Sequence, residues 1–438
     1  MKKSVYLLLS LVVVGTALFA IPRPSSKNVL RVANWAEYID GGDADSELVH
    51  EFEAWYEEQT GEEITVEYSV ADDNESLYSM IKMGDEFDLV CPSEYMIMKL
   101  ADEDRLIPFP ESFFDANLAE NYYIRNVLPF INETFKSNVI SQTNQKKWSD
   151  YAAGYMWGTT GFVYNPEFVN PEHVKSWSVF TNPAYKNKIT SKNNVRDTYF
   201  AGLGMYYERD LLALKDRYKK GEIDKIFYQA ELSRLMNDTN ESTMTSVKDI
   251  LKGITSNLYG FETDEGKNDT IAGKVTINFQ WSGDAVYIMD EAEEAGTYLH
   301  YSIPESVSNL WFDGWVMPKS CQNQTAAMMF INFLSMPENA VRNMNYIGYT
   351  SCIGGESVFE EICDWYGAEE DDETAVEYDL SYYFGEGCVL TTPAEQLTRQ
   401  LFAQYPDEKT LTRCVAMQYF KRDENRRAND MWSDITFF

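Results

Sequence analysis

From residue 28 onward the chain alternates short apolar runs with amphipathic stretches. Val29–Asn34 is a brief apolar run that predicts a strand. Leu48, Val49, Phe52, Trp55 and Tyr56 then recur at the spacing of one helix face, with Asp45 or Ser46 placed to cap its start and Gly61 after its end. Ile64, Val66, Tyr68 and Val70 alternate with polar neighbours, the pattern of a half-buried strand. A second helix opening at Asn74 carries Leu77, Met80 and Ile81, and Phe87–Cys91 predicts a buried strand closed by Pro92. Strands separated by helices predict an α/β fold built on mostly parallel sheets flanked by helices. In such sheets ligands collect beyond the carboxyl ends of the strands. The residues after each run are therefore the ones whose chemistry matters.

Those residues share a theme. Trp35-Ala36-Glu37-Tyr38 follows the first strand, and Ser93-Glu94-Tyr95 follows the strand ending at Cys91. The strand-like Lys274–Gln280 runs into Trp281-Ser282-Gly283-Asp284, and Asn309–Trp315 contains Trp311 and Asp313. One aromatic at a strand end is more often packing than ligand contact; four recurrences beside an acid predict a shared rim. Two competing roles stay open at this point. Trp281 and Trp311 could pack between lobes, and Asp284 could cap a helix through Ala285–Ala292.

Charge gives the theme a direction. The 438 residues include 70 Asp plus Glu against 37 Lys plus Arg, a net charge of −33. Such a surface repels phosphate backbones and anionic lipid, which argues against a nucleic-acid partner, and it attracts cations. With 44% hydrophobic residues the chain fills about two or three domain cores, and it is rich in rings: 10 Trp, 29 Tyr and 24 Phe. An organic polycation needs an acid or carbonyl for each ammonium and apolar walls for its methylenes. A cation over an aromatic face gains about 0.5–2 kcal/mol and a charge-assisted hydrogen bond about 1.5–3 kcal/mol. Two or three of each reach micromolar affinity, about −8 kcal/mol, after ordering costs. Trp35, Tyr38, Tyr95, Trp281 and Trp311, with Glu37, Asp284 and Asp313, supply both demands.

Catalytic constellations are poor by comparison. Only His50, His173 and His300 exist, and the GxSxG, HExxH, GxGxxG and P-loop motifs are absent. The chain is thus expected to be no enzyme, with no cofactor and no metal. Paired carboxylates leave a surface glycoside hydrolase as the alternative from another class. Six cysteines (91, 321, 352, 363, 388, 414) lack any metal spacing; Cys352, Cys363 and Cys388 are near enough to pair, and free thiols fit equally.

Met1-Lys2-Lys3-Ser4 followed by the apolar Val5–Ile21 predicts an export signal or an amino-terminal membrane anchor, with Pro22–Ser26 as a tether. The body is expected outside the cytoplasmic membrane. Residues 360–379 hold ten acids and no Lys or Arg, which predicts a solvated loop, and Asn237–Asp269 reads as another polar insertion.

Five stretches carry a resemblance: Leu30–Tyr38, Phe87–Tyr95, Trp281–Asp284, Leu310–Pro318 and Ile347-Gly348-Tyr349. Their order and spacing resemble periplasmic spermidine/putrescine-binding proteins, the capture subunits of polyamine ABC importers. The resemblance spans roughly residues 28–358. It implies a two-lobed fold closing on ligand like a hinge, with lobe one at 28–157 and 312–357. Lobe two would take 158–311 and 358–438, with an acidic insertion near 360–386. It also implies a polyamine ligand, ABC permease partners and a monomer. By this resemblance Trp35, Tyr38, Tyr95, Trp281 and Trp311 would box the methylene chain. Ser93 and Tyr349 would add polar contacts, Asp313 would anchor an ammonium with Glu37 assisting, and Asp197 would meet an inner amine unless it only caps its helix. Asn194 stands where spermidine binders tend to have an acid and Asp284 where putrescine binders have one, which tilts the expectation towards putrescine. Another cationic amine or a sugar is the alternative solute, since related proteins alter their pockets on one architecture.

Overall fold

The structure is a computed structural model that describes residues 28–42, 46–140, 146–263 and 265–436. The expected export segment and Asp45 lie outside these residues. No helix among the described residues is long and apolar enough to cross a membrane.

The first sheet is parallel and ordered Thr65–Ala71, Val29–Trp35, Leu89–Val90. Helix Glu47–Thr60 covers it through Leu48, Val49, Phe52 and Tyr56. Ser46 starts that helix by accepting from the Val49 N–H, and Gly61 ends it at φ 74°, a left-handed conformation that glycine adopts without strain. Asp73 and Ser76 form a capping box at the start of helix Asn74–Met83.

The larger sheet has eight strands. Its main path runs Cys414–Val415, Ser308–Trp315, Ala153–Tyr164, Ile277–Trp281, Ile189–Lys192, Gly260–Glu262. Thr350–Ser351 and His300–Ser302 also pair with Ala153–Tyr164, whose twelve residues are all buried. Ser308–Trp315 runs antiparallel to this long strand, and its register shifts between Asp313 and Gly314. At that bulge the chain also reaches the first sheet. Ser93 and Asp313 form an antiparallel bridge, as do Val90 and Val316, and the Gly314 N–H donates to the Pro92 carbonyl at 3.1 Å. The extra residue is Tyr155 of the long strand, so Asp313 stands opposite Met156 and Gly314 opposite Gly154 across a local kink.

Two apolar cores result. One gathers the first sheet with Trp157, Phe312, Trp315 and Phe330, and the other gathers Phe162, Trp177, Phe180 and Phe279. This is the two-lobed α/β fold expected. Apolar packing also crosses between distant stretches of the chain. Helix Ser282–Glu294 packs its Ala285, Ile288 and Met289 into the first core, as do Val358, Ile362, Tyr383, Leu401 and Tyr405. From the carboxyl-terminal stretch only Val415–Ile435 supplies the second core.

Both polar stretches are more ordered than their composition predicts. Val358 and Ile362, four apart, bury one face of helix Glu356–Tyr366, and Val376–Asp379 pairs with Val389–Thr392. Residues 237–269 form helix Glu241–Thr255, strand Gly260–Glu262 and the start of helix Glu265–Ile271. In each case a few apolar residues at helical spacing outweigh the acids around them, which point to water. All six cysteines are free thiols.

Candidate functional site

Asp313, 6% exposed, sits where Ser308–Trp315 meets the turn after the first sheet's strand Leu89–Val90. Its carboxylate accepts from the Tyr38 hydroxyl at 2.8 Å and from the Ser93 hydroxyl and the Trp35 indole. Ser93 is fixed in turn by Asn74, which accepts from the Ser93 N–H at 2.9 Å and donates to the Ser93 Oγ at 3.0 Å. Burial pushes Asp313 up to about 6 despite these donors. Beside it Glu94, also buried, is pushed up to about 8, first by burial and then by Asp313.

Rings line the space around this carboxylate. Tyr349 meets Tyr38 edge-on at 5.5 Å and lies 5.4 Å from Trp311, centroid to centroid. Trp311 is anchored by donating its indole N–H to the Thr159 carbonyl at 3.2 Å. Two glycines make room: a Cβ on Gly283 would stand 1.8 Å from the Tyr349 ring, and one on Gly158 would stand 2.4 Å from Trp311.

Across the site lie Asp284, Asp197 and Trp281. Asp284 occupies the first turn of helix Ser282–Glu294 without capping it; its Oδ1 accepts from the Tyr349 hydroxyl at 3.2 Å and from Lys267 Nζ at 3.2 Å. The cap of helix Val195–Tyr206 is Asn194, which accepts from the Asp197 N–H at 2.8 Å and donates to the Asp197 carboxylate at 2.6 Å. Asp197 is thereby held facing Trp281, whose indole N–H donates to it at 3.4 Å. Burial raises the Asp197 carboxyl above its ordinary value.

Hydrogen bonds and ring contacts join seven of the eleven candidates, Trp35, Tyr38, Ser93, Asp284, Trp311, Asp313 and Tyr349, and separately pair Asp197 with Trp281. Tyr95 instead meets Arg196, whose guanidinium lies 4.3 Å from its ring centre and 3.9 Å from that of Phe420. Glu37 differs. It sits exposed on the turn after the first strand with φ 54°, a conformation uncommon for a side chain of its kind.

Several residues escaped the sequence reading. Lys192 is wholly buried, with its Nζ 4.0 Å from the Trp281 ring centre and 3.8 Å from Glu262. Lys192 precedes the Asn193–Asp197 turn and Arg196 lies within it, so their position was visible although their direction was not. Glu94 stood in the Ser93-Glu94-Tyr95 stretch without being singled out, and Lys267 gave no signal. A cavity of about 600 Å³ lies on the opposite side of Ser308–Trp315, lined by Leu310, Phe312 and Trp148. None of the eleven candidates borders it. No cluster among the described residues could hold a metal.

The buried acids make a testable contribution to stability. An acid raised in the folded state stays protonated there while its unfolded counterpart ionises near 4.3. Stability from Glu94 is therefore fully present below that value and is lost as pH rises to about 8. Glu94→Gln is expected to flatten the fall in denaturation free energy between pH 5 and pH 8 by up to about 1.4 kcal/mol per pH unit. Urea titrations of both proteins across that range check it; parallel slopes would contradict the protonated state.

Residues 47–355 match the family described as bacterial extracellular solute-binding protein. The spermidine/putrescine-binding periplasmic protein of Salmonella typhimurium is 26% identical over 328 residues, 74% of this chain and 78% of that one. The putrescine-binding periplasmic protein PotF of Escherichia coli is 25% identical over 340 residues, covering 75% and 78%. Among solved structures, a spermidine/putrescine ABC transporter substrate-binding protein from Streptococcus pneumoniae superposes with a TM-score of 0.61 at 26% identity, covering 94% of this chain and 99% of that one. The chain belongs to the bacterial extracellular solute-binding protein family.

Proposed function

We propose that the chain captures polyamines, putrescine and/or spermidine, outside the cytoplasmic membrane and delivers them to an ABC permease, acting as a monomeric receptor and not as an enzyme. The observation that carries this reading is Asp313, a buried carboxylate met only by hydroxyl and indole donors and surrounded by Tyr38, Trp35, Trp311 and Tyr349. An ammonium placed there regains in one position what it loses on leaving water: a charge-assisted hydrogen bond and aromatic faces. Asp197 offers a second carboxylate across the site for the other end of the chain. The names of the relatives support the same solute class, and the amino-terminal segment of residues 1–27 would export or tether the protein.

A thermal-shift panel tests the proposal, because a ligand that binds only the native state raises the midpoint. Putrescine or spermidine, at about one hundred times its dissociation constant, stabilises by about 2.7 kcal/mol, a rise of several degrees. Neutral sugars and acidic amino acids are expected to leave the midpoint unchanged. A panel in which no diamine or triamine shifts it, or in which a sugar does, would remove the proposal.

A further inference from the structure

Two lysines already occupy the far side of the site. Lys267 Nζ is 3.2 Å from Asp284 Oδ1, and Lys192 Nζ lies 4.0 Å from the centre of the Trp281 ring. One ammonium on a carboxylate and one on an aromatic face are the two placements that a polyamine nitrogen itself seeks. The chain supplies both from its own side chains. Lys192 is wholly buried and leans towards Glu262 at 3.8 Å, so it is a fixed part of the interior. Lys267 retains 23% exposure of its side chain on helix Glu265–Ile271, and the same Asp284 oxygen also accepts from Tyr349.

Among the described residues, two carboxylates of the site hydrogen-bond only to uncharged groups, although the charges of Lys192 and Arg196 also act on one of them, Asp197. Asp313 accepts from Tyr38, Ser93 and Trp35, and Asp197 accepts from Asn194 and Trp281. Arg196, next to Asp197, turns towards Tyr95 and Phe420 and donates to the Gln418 carbonyl. Two such positions match two ammoniums. A third ammonium would have to approach Asp284 against the charge of Lys267, and like charges brought together are a common means of rejecting a wrong partner.

We propose that Lys267 is a specificity-determining residue: as the resident counter-ion of Asp284, it limits the cleft to diamines and disfavours triamines. The inference rests on the polyamine reading of the same site. Asp284, whose presence in the sequence pointed to a putrescine-like pattern, then acts through its lysine and not as a direct ligand of an amine.

Calorimetric titration of putrescine and of spermidine into the wild type, Lys267→Met and Lys267→Arg separates the cases. The wild type is expected to favour putrescine by about tenfold or more, and Lys267→Met to shift the spermidine-to-putrescine affinity ratio towards spermidine by about tenfold. Lys267→Arg keeps the charge and should keep the wild-type ratio, which a merely structural role for the lysine would not require. Thermal midpoints of the three proteins establish that each is folded. An unchanged ratio in Lys267→Met, with both amines still binding, overturns this inference and leaves the polyamine reading standing. Failure of both amines to bind the wild type overturns both.

Discussion

Asp313→Asn should abolish most of the affinity for putrescine while leaving the fold intact. The substitution keeps one oxygen, which can accept from two of the three donors, the Trp35 indole among them, while the new NH2 can donate to the hydroxyl of Tyr38 or Ser93 that is left. What disappears is the negative charge. A hydrogen bond to a charged group contributes about 1.5–3 kcal/mol, and truncating one side of a buried charge pair costs about 2–5 kcal/mol. The dissociation constant should therefore rise by about tenfold to a thousandfold. The unliganded protein should melt at the same temperature or higher, because the lost carboxylate is one whose ionisation burial already disfavours, its pKa standing at about 6. Calorimetry for affinity and a melt for stability measure the two halves separately. A variant that binds putrescine as tightly as the wild type would show that Asp313 is not the anchor.

Gly283→Ala should damage the site by shape alone. The added methyl would stand 1.8 Å from one carbon of the Tyr349 ring and within 2.3 Å of two more, so the ring must leave its place. With it go the hydroxyl's bond to Asp284 at 3.2 Å and the ring contacts with Tyr38 and Trp311. Overpacking of this kind typically costs about 1–3 kcal/mol in stability. Loss of one aromatic wall and its polar tip should weaken putrescine binding by about tenfold or more. Gly253→Ala is the control: it lies within helix Glu241–Thr255 with nothing within 4 Å of a new Cβ, and there alanine should be neutral or stabilising. If Gly283→Ala binds and melts like the wild type, the close seating of Tyr349 is not what shapes the site.

The sequence revealed the parts of this site that obey a local rule. Trp35, Tyr38, Ser93, Tyr95 and Trp281 follow or end strands, and the rule for α/β sheets sends attention to such residues. Asp313 stood in the same pattern, yet its place depends on pairing with both Met156 of the long strand and Ser93, partners more than 150 residues away. The lysines were illegible for another reason. A lysine under a tryptophan and a lysine in water have the same one-letter neighbourhood, and only tertiary contact tells Lys192 or Lys267 from the other basic residues. The acidic run misled in the opposite sense: its charge density masked Val358 and Ile362, which fix a helix from below. Glu37 was grouped with Tyr38 because they are adjacent, but neighbours on a tight turn diverge, and Tyr38 alone turns inward.

The strand Ala153–Tyr164 gives one neighbour, Phe162, to one core and the next, Val163, to the other. Consecutive residues of an extended chain point to opposite faces. Two apolar cores therefore share this ribbon, one against each of its faces. Cutting the gene at a lobe border would leave an oily face of that ribbon bare, so neither half is a natural fragment for expression or for transplantation into another scaffold.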